Sequence, residues 1–238
     1  MSTILSRLID NKNVTSPLLA RLHAFLFPEG EDRARAIRTV RLKQTARIRS
    51  APTAPWIALT ADMSIDATQT SFVWEARYKI KMGFITIVDA YEKGHGRFVL
   101  KLGSVLPFKK MTGPAFDRGE IQRYLANAGT CPPMLLNNPA LEITEAGPNT
   151  LRLKDRNDPT QATIDLDIAE DGQPILGRAI RPKAHGNTTI DTPWSARTTT
   201  WQDWEGLRIA STVEAAWDLP EGPFPYFQAE VFPQEAVR

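Results

Sequence analysis

From residue 39 onward, apolar side chains recur at every second position in segment after segment, a period that fits strands and no other regular element. Val40, Leu42, Ala46 and Ile48 alternate with polar neighbours, and so do Ile57, Leu59, Ala61, Met63 and Ile65. Phe72, Trp74, Ala76, Tyr78 and Ile80 repeat the pattern, with turn-rich stretches at 50–55 and 66–71 between the runs. Residues 84–91 are apolar on both parities, which predicts a strand covered on both faces. Lys93-Gly94-His95-Gly96 reads as a hairpin turn leading to Phe98, Leu100 and Leu102. Alternation resumes through 141–143, 151–153, 164–168, 176–180, 196–201, 207–209, 213–217 and 226–231, with Asp171-Gly172 as a further hairpin signal.

Two regions break this period. Residues 1–38 read as an N-terminal helical segment packed on the rest. Leu5, Leu8 and Ile9 have helical spacing, Ser16-Pro17 is a helix start, and Leu18, Leu19, Leu22, Phe25 and Leu26 form one apolar stripe that ends at Pro28-Glu29-Gly30. A central helix is predicted over 118–128, capped by Asp117 with Glu120 as capping-box partner, and stopped by Gly129 and Pro132-Pro133. The fold class that follows is mainly β (α+β). Residues 39–238 make a single curved antiparallel sheet or half-barrel of about ten strands, because a sheet that long curls. The central helix is placed to fill its concave face.

A formal charge of +2 and the lack of aromatic residues among the basic ones argue against nucleic acid as a partner. The single cysteine, Cys131, forms no internal disulfide and reads as a structural thiol. No apolar run reaches signal-peptide or membrane-spanning length, so the expected location is cytoplasmic and the chain is not read as an integral membrane protein. The charge is uneven: Arg41, Lys43, Arg47 and Arg49 share one strand parity, and no Asp or Glu lies between Arg33 and Ala61. This stripe is either a solvated face that discourages edge pairing or a patch for an anionic surface or acidic partner.

Polar groups at inward-facing positions are the candidates for function. Asp89 and Tyr91 interrupt the apolar face of the 84–91 strand. A carboxylate there needs a cation, and Arg123 on the helix is available. With Tyr124, these residues form either a buried network tying helix to sheet or an acid/base constellation. Trp74, Trp201 and Trp217 fall on inward parities, and Trp194 begins a strand or plugs a barrel end. Together with Tyr78 and Tyr226 they either fill the core or wall a ligand pocket. Glu120 caps the helix or turns inward beside Arg123; His95 is an exposed turn residue or a proton shuttle at the cavity mouth. His23, His95 and His185 have no metal-ligand spacing, and neither a phosphate loop nor a nucleophile elbow occurs, so no metal and no cofactor are expected.

Several stretches resemble a bacterial family known only as a domain of unknown function. They are Thr192-Pro193-Trp194, Trp204-Glu205-Gly206-Leu207-Arg208-Ile209, Val213-Glu214-Ala215-Ala216-Trp217, Leu219-Pro220-Glu221-Gly222-Pro223 and Pro225-Tyr226. Val88-Asp89-Ala90-Tyr91 with Gly94 and Gly96, and the run from Gly119 to Ala126 followed by Pro133 and Leu135-Leu136, belong to the same pattern. The resemblance covers about residues 17–232 and departs at Asn127, where the family has an acidic residue, and at Ala210, where it has proline. It brings no activity with it. The order of strands, helix and strands also looks like the half-barrels of bacterial lipoprotein carriers, which hold acyl chains between sheet and helical lid. That likeness implies a hydrophobic or lipid-like small molecule in the same place, and a binding protein for it is the leading expectation. The alternatives are a metal- and nucleotide-independent acid/base enzyme (lyase, isomerase or hydrolase) acting on an apolar substrate in that cavity, and an interaction scaffold using the basic strand face. The oligomeric state is left open.

Overall fold

The computed structural model describes residues 16–186 and 188–238, so the helical spacing of Leu5, Leu8 and Ile9 lies outside the described residues. Helix α1 (Pro17–Leu26) begins where the sequence places it: Ser16 Oγ accepts from the Leu19 N–H at 3.1 Å, and Pro17 sits in the first turn, where a missing N–H costs nothing. A short helix α2 (Asp32–Arg35) follows. Then come β1 (Thr39–Ile48), β2 (Ile57–Asp66), β3 (Phe72–Ile80), β4 (Gly83–Glu92), β5 (His95–Leu102) and β6 (Leu106–Thr112). Helix α3 (Pro114–Ala126), a 3-10 turn (Asn127–Gly129) and helix α4 (Met134–Asn137) interrupt the strands. The remainder is β7 (Leu141–Gly147), β8 (Thr150–Asp155), β9 (Thr163–Ile168), β10 (Pro174–His185), β11 (Thr188–Arg197), β12 (Trp201–Trp204), β13 (Leu207–Ala210), β14 (Thr212–Leu219) and β15 (Gly222–Val237).

Thirteen strands form one sheet in the order β6-β5-β4-β3-β2-β1-β15-β14-β11-β10-β9-β8-β7, with β12 and β13 as a separate hairpin. Every pairing between named strands is antiparallel. The sheet does not close, since β6 and β7 remain its edges. Its two halves are joined by β1 and β15, with Thr39 opposite Val237 and Ile48 opposite Phe227. The expected large antiparallel sheet is present, but with thirteen strands in place of the expected ten or so. The main omissions are β6, whose residues are nearly all exposed, and most of β11, exposed or half-exposed over 188–193, so neither carries an alternation to read. The segment 196–201 is not one strand: the chain leaves the large sheet after Arg197, and Trp201 starts the small hairpin, edge-on to Phe25 of α1 at 5.0 Å.

The central helix also needs correction. It opens at Gly113-Pro114 rather than at a cap on Asp117, because proline suits the first turn and Gly113 adopts φ 120°. Asp117 instead accepts from the Gly96 N–H at 2.7 Å, tying the first turn to β5. Gly96 has to be glycine here, since a Cβ would lie 2.8 Å from the Phe116 carbonyl oxygen. Glu120 therefore does not cap; it is buried between helix and sheet, as are Gly119 and Gln122. Tyr124, Ile121 and Leu125 join Leu22, Leu26, Ile65, Phe72, Leu151 and Leu153 in one continuous apolar core.

Candidate functional site

Between α3 and the inner face of the sheet lies a cavity of about 220 Å³. Its apolar wall includes Ile48, Ile87, Phe98, Val213, Ala215 and Phe227, drawn from both halves of the half-barrel. Its polar groups are Gln44, Asp89, Arg123, Asn127, Arg181 and Tyr226. A pocket that is mainly apolar with a few convergent polar groups is the usual form of a small-molecule site.

Each polar group is held by the fold. Asp89 points inward from β4, and Arg123 reaches it from the last turn of α3 in a close ion pair. The Arg123 guanidinium also lies over the Trp74 ring at 4.8 Å and the Phe72 ring at 5.2 Å. The Trp74 Nε1–H donates to Gln44 Oε1 at 2.8 Å. Burial pulls the Arg123 pKa down to about 10, opposed by Tyr226 and reinforced to a lesser degree by Arg181, and the side chain stays cationic at neutral pH. Asp89 Oδ1 is buried without a hydrogen-bond partner.

A second guanidinium enters from β10. Arg181 is buried, lies over the Trp194 ring at 4.6 Å and donates to the Gly119 carbonyl oxygen at 2.6 Å. The missing side chain at Gly119 lets the helix sit close to β10, since a Cβ there would lie 3.3 Å from Pro182 Cγ. Arg181 Nε has no partner, and no carboxylate pairs with Arg181 at contact distance among the described residues. The Trp194 Nε1–H donates to the Tyr226 hydroxyl at 3.0 Å, and Trp217 stacks on Tyr226 at 5.6 Å. Tyr226 and Phe227 both face the cavity although they are consecutive, because a bulge opposite Ala215/Ala216 adds a residue to β15 there.

Glu120 stands beside this cluster with Oε2 unpartnered. Burial drives its pKa up to about 7, against the opposing pull of Arg181. The unfolded chain has the ordinary value of 4.5. Between these values the folded state holds a proton that the unfolded state has lost, so stability falls as pH rises through this window. Glu120→Gln removes the titration. Chemical denaturation at pH 5 and pH 9 is expected to show the wild type losing about 3 kcal/mol relative to the variant across that range. Parallel pH profiles would refute the burial-driven shift.

The sequence candidates divide accordingly. Trp74, Asp89, Arg123, Trp194 and Tyr226 line the cavity, and Trp217 supports it from behind. Tyr91, Tyr124, Tyr78, His95, Glu120 and Trp201 do not line it. The Tyr124 hydroxyl donates to the Asp66 carbonyl oxygen at 3.0 Å and accepts from Asn138 Nδ2 at 3.1 Å, a structural tie. Tyr91 is buried, and burial foremost pushes its pKa up to about 12. His95 is not in the turn but opens β5, where it is exposed and 3.9 Å from Asp117. On the outer face, Arg41 pairs with Glu235 at 2.6 Å, Arg47 donates to Gln228, and Arg47 and Arg49 lie over Trp56. Sequence reasoning missed Gln44 and Arg181. Gln44 had a signal, being the polar break in the inward parity of β1; Arg181 had none, because an arginine on a half-buried strand reads as outward.

Comparisons with known proteins bear on the family and on the fold. Residues 24–229 match DUF6544, described as a family of unknown function. No curated protein matches the chain. Among solved structures, a DUF1329 family protein from Desulfovibrio piger superposes with a TM-score of 0.51 at 7% identity, covering 94% of this chain and 96% of that one. A LolA superfamily protein from Nitrosomonas europaea superposes with a TM-score of 0.48 at 9% identity, covering 93% of this chain and 92% of that one.

Proposed function

The chain belongs to DUF6544, a family of unknown function, and we propose that it is a binding protein for an amphipathic small molecule with an apolar body and an acidic head. The observation that carries this reading is an apolar cavity holding two guanidiniums, of which Arg123 is paired with the Asp89 carboxylate while the buried Arg181 has no such partner at contact distance among the described residues. Asp89 answers Arg123; Arg181 is left with a carbonyl and a tryptophan face. A buried cation without a counter-ion is costly. A carboxylate arriving on a ligand supplies that counter-ion, while the ligand's chain lies along Ile48, Ile87, Phe98 and Phe227.

The test is calorimetric titration of the full chain with dodecanoate and with dodecanol, using wild type and Arg181→Met. Wild type is expected to favour the acid by about tenfold to a hundredfold, the worth of a charge-assisted hydrogen bond in a dry site. The variant is expected to bind the two probes about equally. Binding of neither probe by wild type sinks the binding-protein reading. Equal binding of both probes by wild type leaves the cavity but removes the acidic head.

A further inference from the structure

The longest run of exposed apolar residues is unrelated to the cavity polar cluster and lies on two adjacent hairpins. The β3–β4 turn carries Ile80 and Met82, and the β5–β6 turn carries Leu102, Val105, Leu106 and Phe108. β4 and β5 are paired, and the Gly103 N–H donates to the Phe84 carbonyl oxygen at 2.8 Å, so the two tips form one surface. Their exposure is extreme for apolar side chains: Met82 93%, Val105 86%, Leu106 62% and Phe108 59%. Interleaved with them are Lys79, Lys81, Lys101, Lys109 and Lys110, and no Asp or Glu occurs in 76–88 or in 93–116. None of these lysines forms an ion pair among the described residues, whereas nearby Arg77 and Arg97 are paired with Glu75 and Glu92.

Edge protection accounts for part of this. β6 is an edge strand, and lysines on an edge discourage pairing with another chain. It does not account for Val105, Leu106 and Phe108 on the same edge, which work against that protection. Apolar side chains at a protruding tip, ringed by unpaired lysines, match one environment: the interface of a bilayer with anionic head groups, where the apolar residues enter the head-group boundary and the lysines meet the lipid charge. The strands of each hairpin are paired with one another, and the free peptide groups are those of the turns and of the outer edge of β6, which a hydrated head-group layer can satisfy. We propose that the paired β3–β4 and β5–β6 tips are a docking surface for an anionic lipid membrane.

The experiment is co-sedimentation of the full chain with phosphatidylcholine vesicles and with vesicles of phosphatidylcholine mixed with phosphatidylglycerol. Binding is expected only to the mixed vesicles and to weaken as salt is raised. At about 1 kcal/mol for each lysine, Lys109→Gln with Lys110→Gln should weaken it about thirtyfold. Met82→Asp with Phe108→Asp should weaken it at least about tenfold, with unchanged circular dichroism because both side chains are exposed. Equal binding to both vesicle types, binding to neither, or unaltered binding by both variants overturns the proposal. So does light scattering that shows a dimer which Phe108→Asp dissociates, since the surface would then be occupied by a second copy.

Discussion

Replacing Arg123 by methionine is expected to cost the protein about 3–5 kcal/mol of stability, and replacing Asp89 by leucine as well should recover most of that loss. The single substitution leaves a carboxylate buried beside Trp74, with Oδ1 already lacking a partner. It also removes the cation from above the Trp74 and Phe72 rings. The double variant leaves no charge to desolvate, and buried ion pairs exchanged for apolar groups of similar volume are often neutral or stabilising. Urea melts of wild type, Arg123→Met and the double variant, compared at equal m-value, measure the difference. A single variant within about 1 kcal/mol of wild type would mean that water reaches the pair.

The second large effect is expected at Gly172. Its φ is +91°, and a Cβ would lie 2.1 Å from the Arg21 carbonyl oxygen of α1. That neighbour is backbone within a helix and has no rotamer to adopt. Gly172→Ala therefore combines a left-handed backbone penalty of about 1–2 kcal/mol with an overpacking cost of about 1–3 kcal/mol. Gly94 is the internal control: it has φ +82° in its own hairpin, with nothing within 4 Å of its would-be Cβ. Gly94→Ala should show the backbone part alone. If thermal melts show equal losses for the two variants, α1 is not held against the β9–β10 turn as described.

Much of this architecture is written in the sequence as alternation, and the errors share a cause. Strands half-buried in the sheet, such as β1, β2 and β3, announce themselves because one parity meets the core and the other meets water. β6 meets water on both sides and gives no such signal. α3 was legible as a helix, but its start and the burial of Glu120 were not: enclosed on several sides, it buries Glu120 and Gln122 as well as Ile121 and Leu125, so its polar residues do not mark an outer face. β10 is the most misleading. Ile175 and Ile180 are exposed while Gly177 and Arg181 are buried, because the inner surface there needs room for the helix and a cation over Trp194. Asp89 was legible since a carboxylate on an apolar strand must be answered, and Arg123 answers it. The cavity's second cation was not, because no carboxylate among the described residues pairs with Arg181 at contact distance and so no complementary residue pointed to it.

The pairing of β1 with β15 bears on how the protein is made. β1 through β6 zip together between sequence neighbours, but β1 gains its other partner only from residues far along the chain; Arg41 and Glu235 are separated by 194 positions. Contacts of that span slow folding, and meanwhile β1 is an open template for any passing strand. Arg41, Lys43 and Arg47 stand along that template. In the finished sheet Arg41 is matched by Glu235 and Arg47 by Gln228. Before β15 arrives they are unmatched, and like charge along an open strand is a feature that disfavours its pairing with another chain.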